Sequence, residues 1–524
     1  MRYYIFVILI VLMVGALSCE DMLDVKPKNS LTFANAFETE QDIESMVRSA
    51  ERSSRDMRSR FPISPGDRGM YSDYYGSSST ALLGDDRASG TLESWDGNYL
   101  VMTYANAPLR YIDGIDMPQS QKDFYYGQIY FFRAFAYLDL VQGWGDCVLI
   151  KDEIDVAPQA KTNWPIVTDY AIELAKKAAN LLPEYGKGLD SKGNVIVRKS
   201  VPAKGSAYAV LAYLAAWKAG CKYLAKPEDR NYDEMAYWRL ADTACTRIIE
   251  SSVYELARTP EEVCTEVLVG DSKESVYESC WRNFITNEEM GGFSIMSFLN
   301  AYRYQGWPIV LGQGAGTVKN KANRILASTV YEMYPCEYLS SGDSIVDLRR
   351  DAYFYKLDSM SQEKFLSTTG GYAYPRKWRI TKVGDTGWGT DGFINYDQNK
   401  IWFRLADIIL LRAECRARLG NSEGAVADLN RIRVRARAKV YDASEYGGDL
   451  RYAIYKERER ELLMEEFRYY DIVRNGYVRQ ELLGKHKTLT DQDMIDGALF
   501  ISIDLKEFSK NPKMTQNIYW KARL

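Results

Sequence analysis

Six stretches of this chain carry apolar residues at helical spacing, and they come as neighbours. Ile129, Phe132, Phe135, Ala136 and Leu140 keep the i, i+3, i+4 rhythm, and Ile172, Ala175, Ala179 and Leu182 follow. Leu211, Leu214 and Ala215 repeat it before Leu240, Ala244 and Ile248, and Ile408, Leu411, Cys415 and Leu419 lead into Ala425, Leu429 and Ile432. An apolar stripe of that kind leaves water only by facing another element. Ala at the crossing positions lets neighbouring backbones approach. In the last pair, Ala413, Gly420 and Ala425 fit the small, turn-glycine, small spacing of a tetratricopeptide unit. The other pairs are degenerate, and the repeat of about 34 residues is not kept. The expected fold is mainly α: an irregular tetratricopeptide-like array of short paired helices, over about 40–250 and 402–475.

Residues of about 251–401 have a different character. Gly, Trp, Tyr and Thr are frequent, β-like runs occur at Glu274–Trp281 and Gly392–Phe403, and paired glycines such as Gly291-Gly292 punctuate them. This predicts a long loop-rich insertion containing short strands. Irregular segments on a stiff frame commonly carry function. Further on, Ala453–Asn475 reads as one amphipathic helix. Ile454, Leu462, Leu463, Phe467, Tyr470 and Val473 line one side, and Lys456 to Glu461 interleave at ion-pair spacing.

The start of the chain reads as an export signal. Arg2 precedes an unbroken apolar run from Ile5 to Val14, too short for a stable membrane span. It ends in Ala16-Leu17-Ser18-Cys19, which looks like a lipobox, with Ala16 where Leu is usual. Residues 1–18 are then a lipoprotein signal peptide, 19–524 the mature body, and Cys19 the site of lipid attachment. Acyl chains at about 0.8 kcal/mol per buried CH₂ would anchor the body firmly. Glu20, Asp21 and Asp24 behind the Cys resemble a surface-export signal.

Composition removes several functions. The net charge of −4 supplies no basic field for a polyphosphate, so nucleic acid is not an expected partner. The single His, His486, excludes metal sites that need two imidazoles. Seven Cys remain after Cys19, an odd number without a CxxC pair, so buried free thiols are expected. No cofactor or metal motif is present.

Several landmarks together resemble the SusD-like (RagB/SusD) family. They are the lipobox followed by Asp24-Val25-Lys26-Pro27, Phe132-Arg133-Ala134-Phe135 running to Gly143-Trp144-Gly145-Asp146, and Arg404-Leu405-Ala406-Asp407. Later come Glu457-Arg458-Glu459-Arg460-Glu461-Leu462, Phe467-Arg468-Tyr469-Tyr470-Asp471 and Asn511-Pro512-Lys513-Met514-Thr515-Gln516-Asn517. Phe500-Ile501-Ser502 departs from the family's usual Pro-Ile-Pro. The resemblance implies an outer-membrane lipoprotein facing the cell exterior. It would bind an oligosaccharide or polysaccharide and deliver it to a SusC-like TonB-dependent transporter, without catalysis.

Such ligands suit flat aromatic rings, which cover apolar C–H faces and lose little rotamer entropy. The resemblance points to the loop around Trp95, with Arg87 and Asn98 as hydrogen-bonding partners. Tyr74 sits among Ser and Gly, Trp281 ends a strand-like run, Tyr304 and Trp307 crowd a Gly-bounded loop, and Trp388 stands between glycines. These complete the candidate ligand set. Trp144, Trp217, Trp238 and Trp402 are expected in the core. Three alternatives stand beside this reading. Peptides or decorated host glycans could be the cargo, with Arg324, Arg349, Arg350, Arg376 and Arg379 as anion partners. A glycoside hydrolase would need a carboxylate pair such as Asp85/Asp86, Glu288/Glu289 or Asp385/Asp391. A helical scaffold without small ligand is the third.

Overall fold

The computed structural model describes residues 37–55, 57, 94–151, 157–282, 326–338, 344–366, 370–371, 373–374, 376–384, 392–482 and 484–521. The signal segment and Cys19 lie outside them. The longer helices are α1 Glu40–Ser54, α2 Asp96–Asn106, α3 Gln119–Gly143, α4 Trp164–Leu181, α5 Lys204–Gly220 and α6 Glu234–Ile249, then α7 Leu405–Arg418, α8 Ser422–Arg435, α9 Leu450–Glu461 and α10 Arg468–Asn475.

Local chemistry sets their ends. Thr39 Oγ1 accepts from Asp42 N at 3.3 Å and Asp42 Oδ2 accepts from Thr39 N at 2.8 Å, so α1 opens on a reciprocal cap. Asp233, Asn421 and Asp449 each accept a backbone N–H at the starts of α6, α8 and α9. Gly420, at φ +81°, makes the turn from α7 to α8 in a conformation that a side chain would oppose.

From α1 to α6 each helix packs on the one before, and α7 packs on α6. The array therefore continues across the insertion as if it were absent. α8 and α9 both lie against α7. This is the irregular helix-pair array expected. One helix is not short: α3 has 25 residues, and every residue from Phe131 to Gly143 is buried, which makes it the spine of the core.

The strands are β1 Cys147–Val148, β2 Lys161–Thr162, β3 Ser275–Ser279, β4 Cys336–Tyr338, β5 Ser344–Val346, β6 Thr381–Gly384, β7 Gly392–Tyr396 and β8 Lys400–Arg404. β1 pairs with β2, β4 with β5 and β6 with β7, all antiparallel. β3 and β8 also pair antiparallel, with Ser275 opposite Arg404 and Ser279 opposite Lys400. Their rings seat on the spine: Tyr277 meets Phe131 edge-on at 4.7 Å, and Trp402 meets Phe135 at 5.1 Å. A second, smaller core that includes Val263, Leu268, Val330, Tyr334 and Phe354 holds the insertion together.

The stretch expected as one helix over Ala453–Asn475 is two. α9 stops at Glu461, and Met464 and Glu466 take φ of +66° and +67° before α10 begins. Its charges are interior rather than solvated. Glu457 faces Arg349 at 2.6 Å and Arg433 at 2.9 Å. Arg458 bonds Asp407 at 2.9 Å and Asp471 at 2.8 Å. Glu461 meets Arg404 at 2.8 Å and also pairs with Arg435. Charges this deep are tolerable only when each has an opposite partner and directed hydrogen bonds. These contacts join α9 to α7, α8, α10 and the insertion at once. All seven described cysteines are free, five of them buried.

Candidate ligand-binding site

Nine of the eleven tryptophans lie among the described residues, and all nine are buried: Trp95, Trp144, Trp164, Trp217, Trp238, Trp281, Trp378, Trp402 and Trp520. Trp144, Trp217, Trp238 and Trp402 were expected inside. Trp95 and Trp281 were not, and the structure corrects both. Trp95 is 3% exposed, edge-on to Tyr99 at 5.6 Å and 6.1 Å from Trp144. Trp281 is 2% exposed, with the Arg55 guanidinium 5.8 Å from its ring centre. Asn98 is corrected with them, since its Nδ2 donates to Asp139 Oδ2 at 2.8 Å in the interior. The physical reason is legible afterwards: Trp95, Asn98, Met102 and Ala105 fall on one face of α2 and its cap, all buried.

Arg87, Tyr74, Tyr304, Trp307 and Trp388 lie outside the described residues, as do the carboxylate pairs 85/86, 288/289 and 385/391 and Arg324. The remaining arginines of the anion alternative are engaged internally. Arg349 is fully buried against Asp347 and Glu457, Arg350 pairs with Asp358, and Arg379 reaches Glu261 at 2.7 Å with Arg376 3.8 Å from the same carboxylate.

A hollow of about 360 Å³ opens between α1 and β3. α1 supplies Glu44, Arg48 and Glu51, and Arg55 caps its end, all at helical spacing, so they share one face. Arg48 pairs with Glu51 at 2.5 Å and donates to Gln128 Oε1 at 3.0 Å. Arg55 Nη1 donates to Cys280 O at 3.3 Å, which links α1 to the end of β3. Arg198, Tyr277 and Glu278 complete the wall.

Glu278 is the unusual group. Its Oε1 accepts from Asp271 N and Asn399 Nδ2, both at 2.8 Å, and its Oε2 accepts from Ser275 Oγ at 2.7 Å. Burial, with the Asp271 carboxylate close by, pushes this carboxyl up to about 7. Asn399 reaches it past Gly270, where a Cβ would stand 2.2 Å from Asn399 Nδ2. Behind it Lys199 is held over the Tyr185 and Tyr254 rings, 3.6 and 4.5 Å from their centres. Burial pushes that ammonium down to about 8. The hollow thus offers donors and acceptors on a rigid backing, and among the described residues no cluster of side chains suits a metal ion.

The chain leaves the described structure twice beside this hollow, after Met57 and after Arg282. The first exit leads to the segment with Tyr74 and Arg87, the second to the one with Tyr304 and Trp307. Sequence reasoning missed the hollow itself. The charges of α1 look like an ordinary solvated face, and nothing in the sequence brings β3 opposite them.

Comparison with known proteins gives the following. Residues 21–214 match a family model described as "Starch-binding associating with outer membrane", and residues 312–520 match one described as "SusD family". SusD-like protein P38 of Formosa agariphila is 23% identical over 97% of both chains. SusD-like protein P25 of the same organism is 41% identical over 85 residues, 16% of each chain. A crystal structure of a SusD homolog from Bacteroides thetaiotaomicron superposes with a TM-score of 0.69 at 21% identity, over 93% of this chain and 99% of that one. A laminarin-binding SusD-like protein superposes at 0.63 and 19% identity, over 92% and 99%.

Proposed function

Because this chain belongs to the SusD-like family, we propose that it is a cell-surface lipoprotein, anchored in the outer membrane through Cys19, that binds an oligosaccharide or polysaccharide. It hands that glycan to a SusC-like TonB-dependent transporter and does no chemistry on it. The observation that carries this reading is the pair of family matches, over residues 21–214 and 312–520. The name of the laminarin-binding neighbour supports a glycan as cargo. Among the described residues no helix is long and apolar enough to cross a membrane.

The proposed contacts are Tyr74, Arg87, Tyr304, Trp307 and Trp388. With the other nine indoles buried, Trp307 and Trp388 are the two tryptophans left to stack on sugar. The hollow beside α1 lies where two of the ligand-bearing segments depart, and its charged wall would back a bound chain. Its balance favours a second reading. Arg48, Arg52, Arg55 and Arg198 outnumber Glu44, Glu51 and Glu278 there, which suits a glycan decorated with sulfate or carboxylate.

Affinity electrophoresis of the mature body through gels containing single polysaccharides tests the ligand class. Retarded migration in at least one gel is expected, and uniform migration in all of them rejects the glycan reading. Oligosaccharides incubated with the protein should keep their length; shortened products would make it an enzyme. Detergent extracts of cells should yield a large barrel with the tagged lipoprotein.

A further inference from the structure

Among the aromatic residues whose side chains are described, only Tyr446 is exposed, at 40%. Its place is far from the hollow of α1 in sequence, and the two share no lining residue. It stands on the turn between α8 and α9, at the edge of a second hollow of about 270 Å³.

The backbone there is costly. Tyr446 has φ +51° and ψ +36°, and Gly447 and Gly448 continue at +67° and +88°. A left-handed residue that bears a Cβ costs about 1–2 kcal/mol where glycine costs none. A chain with two glycines in the same turn nevertheless holds a large ring at its first left-handed position.

That ring is fixed from three sides. Its hydroxyl accepts from Arg460 Nη2 at 2.9 Å. Its edge meets Tyr452 at 5.1 Å and 84°. Its neighbour Glu445 is clamped by Arg433, with Nη1 and Nη2 at 2.8 and 3.0 Å. Below lie Asp347, Arg349 and Glu457, locked to one another at 2.6 Å. Met333, Pro335 and Ile345 form an apolar wall. The hollow therefore combines one rigid open ring, apolar surface, and both guanidinium donors and carboxylate acceptors.

This set matches a pyranose. Its C–H face covers a phenol ring, and its hydroxyls both donate and accept. The volume is near the lower end of the ~300–1,000 Å³ typical of small-molecule pockets, so it suits one or two sugar residues rather than a chain. We propose that the Tyr446 hollow is a second carbohydrate-binding site, separate from the hollow beside α1. The choice of a sugar rests on the glycan reading of the whole protein; the existence of the site rests on the ring and the hollow.

Hydrogen–deuterium exchange of the mature body tests this against hexamers of β-1,3-glucan, α-1,4-glucan, α-mannan and galactan. At least one should slow exchange in residues 437–449. Tyr446→Gly removes the ring and relieves the backbone, so the fold should survive. It should weaken that protection about tenfold or more in half-saturating concentration, about 1.4 kcal/mol or more. Protection beside α1 should be unchanged. Tyr446→Phe should retain most of the effect. If sugars slow exchange only beside α1, the second site is rejected and the glycan reading stands. If they slow it only at 437–449, the second site stands and the placement of the first is rejected. If no hexamer slows exchange at either place, both are rejected. If Tyr446→Gly abolishes co-purification of a barrel and leaves sugar protection intact, the ring is a protein contact and the proposal is overturned.

Discussion

Arg474 and Glu414 meet fork to fork inside the protein. Arg474 Nε lies 2.8 Å from Glu414 Oε1 and Nη2 2.6 Å from Oε2, and neither side chain is more than 1% exposed. The pair fastens α10 to α7. Removing Arg474 strands the Glu414 carboxylate in a low dielectric, which costs about 3–5 kcal/mol, whereas removing Glu414 leaves Arg474 with Asp471 at 2.7 Å. Arg474→Ala should therefore lower the urea midpoint more than Glu414→Ala, and the double variant should lose less than the sum of the two singles.

Behind the same arginine, α10 presses on α5. A Cβ at Gly220 would stand 2.4 Å from Arg474 O and 2.5 Å from its Cγ. Backbone cannot yield as a side-chain tip can. Gly220→Ala should therefore destabilise by about 1–3 kcal/mol, although alanine is the better helix former. A rise in the thermal midpoint would show that the two helices do not approach this closely.

Acid should unfold the protein through the buried network. Burial pushes the Glu414, Glu457 and Glu459 carboxyls upward, but the facing cations outweigh it: Arg474 for Glu414, Arg349 and Arg433 for Glu457, Arg468 and Lys456 for Glu459. All three are held down to about 2. Their folded values lie below the unfolded 4.5, so their stabilisation is complete above that pH and is lost as pH falls from 4.5 towards 2. At about 1.4 kcal/mol per unit, each accounts for no more than roughly 3.5 kcal/mol. Urea midpoints measured from pH 6 to pH 2.5 should drop steeply below 4.5, and a flat profile would contradict the network.

Glu278 should act with the opposite sign. Its folded value near 7 lies above the unfolded 4.5, so the native state holds its proton more tightly. Stability contributed by that proton is present below 4.5 and is lost as pH rises to 7. Glu278→Gln keeps an acceptor for Asp271 N and Asn399. It should flatten the profile between pH 4.5 and 7 and be the more stable form at pH 8. An unchanged slope would place the titration elsewhere.

Trp307→Ala and Trp388→Ala should each weaken glycan retardation, by about tenfold where the ring stacks on sugar. Trp95→Phe should instead lower the unfolding free energy by about 1–2 kcal/mol and leave affinity unchanged, because its ring packs on Tyr99 and Trp144. Lost affinity without lost stability in Trp95→Phe would reverse this assignment.

The helix-pair array was legible because Leu, Ile and Ala repeat at 3.6-residue spacing from Ile129 to Ile432, and packing of such stripes is nearly forced. The charged helix was legible as ion-paired but not as interior. Glu457 and Glu461 find their partners in Arg349, Arg404, Arg433 and Arg435, and local spacing says nothing of groups that distant in sequence. Trp95 and Trp281 misled for a related reason. A ring among polar neighbours reads as open, yet Trp95 packs on Tyr99 and Trp144 and Trp281 belongs to the smaller core of the insertion. Tyr446 was invisible because its exposure depends on a left-handed turn, and Glu-Tyr-Gly-Gly suggests a turn without saying which side chain it lifts out.

The ladder that sets Ser275 opposite Arg404 has an evolutionary corollary. It stitches together both edges of the excursion, so residues 280–399 leave and rejoin the helical frame through one closed ladder. Lengthening such a loop raises its closure entropy only logarithmically. Descendants can thus exchange the excursion for one suited to another diet only where the replacement still brings cations to Glu457 and Glu465, as Arg349 and Lys377 do here, and chimaeras cut at β3 and β8 should fold when they keep those two and fail when they drop them.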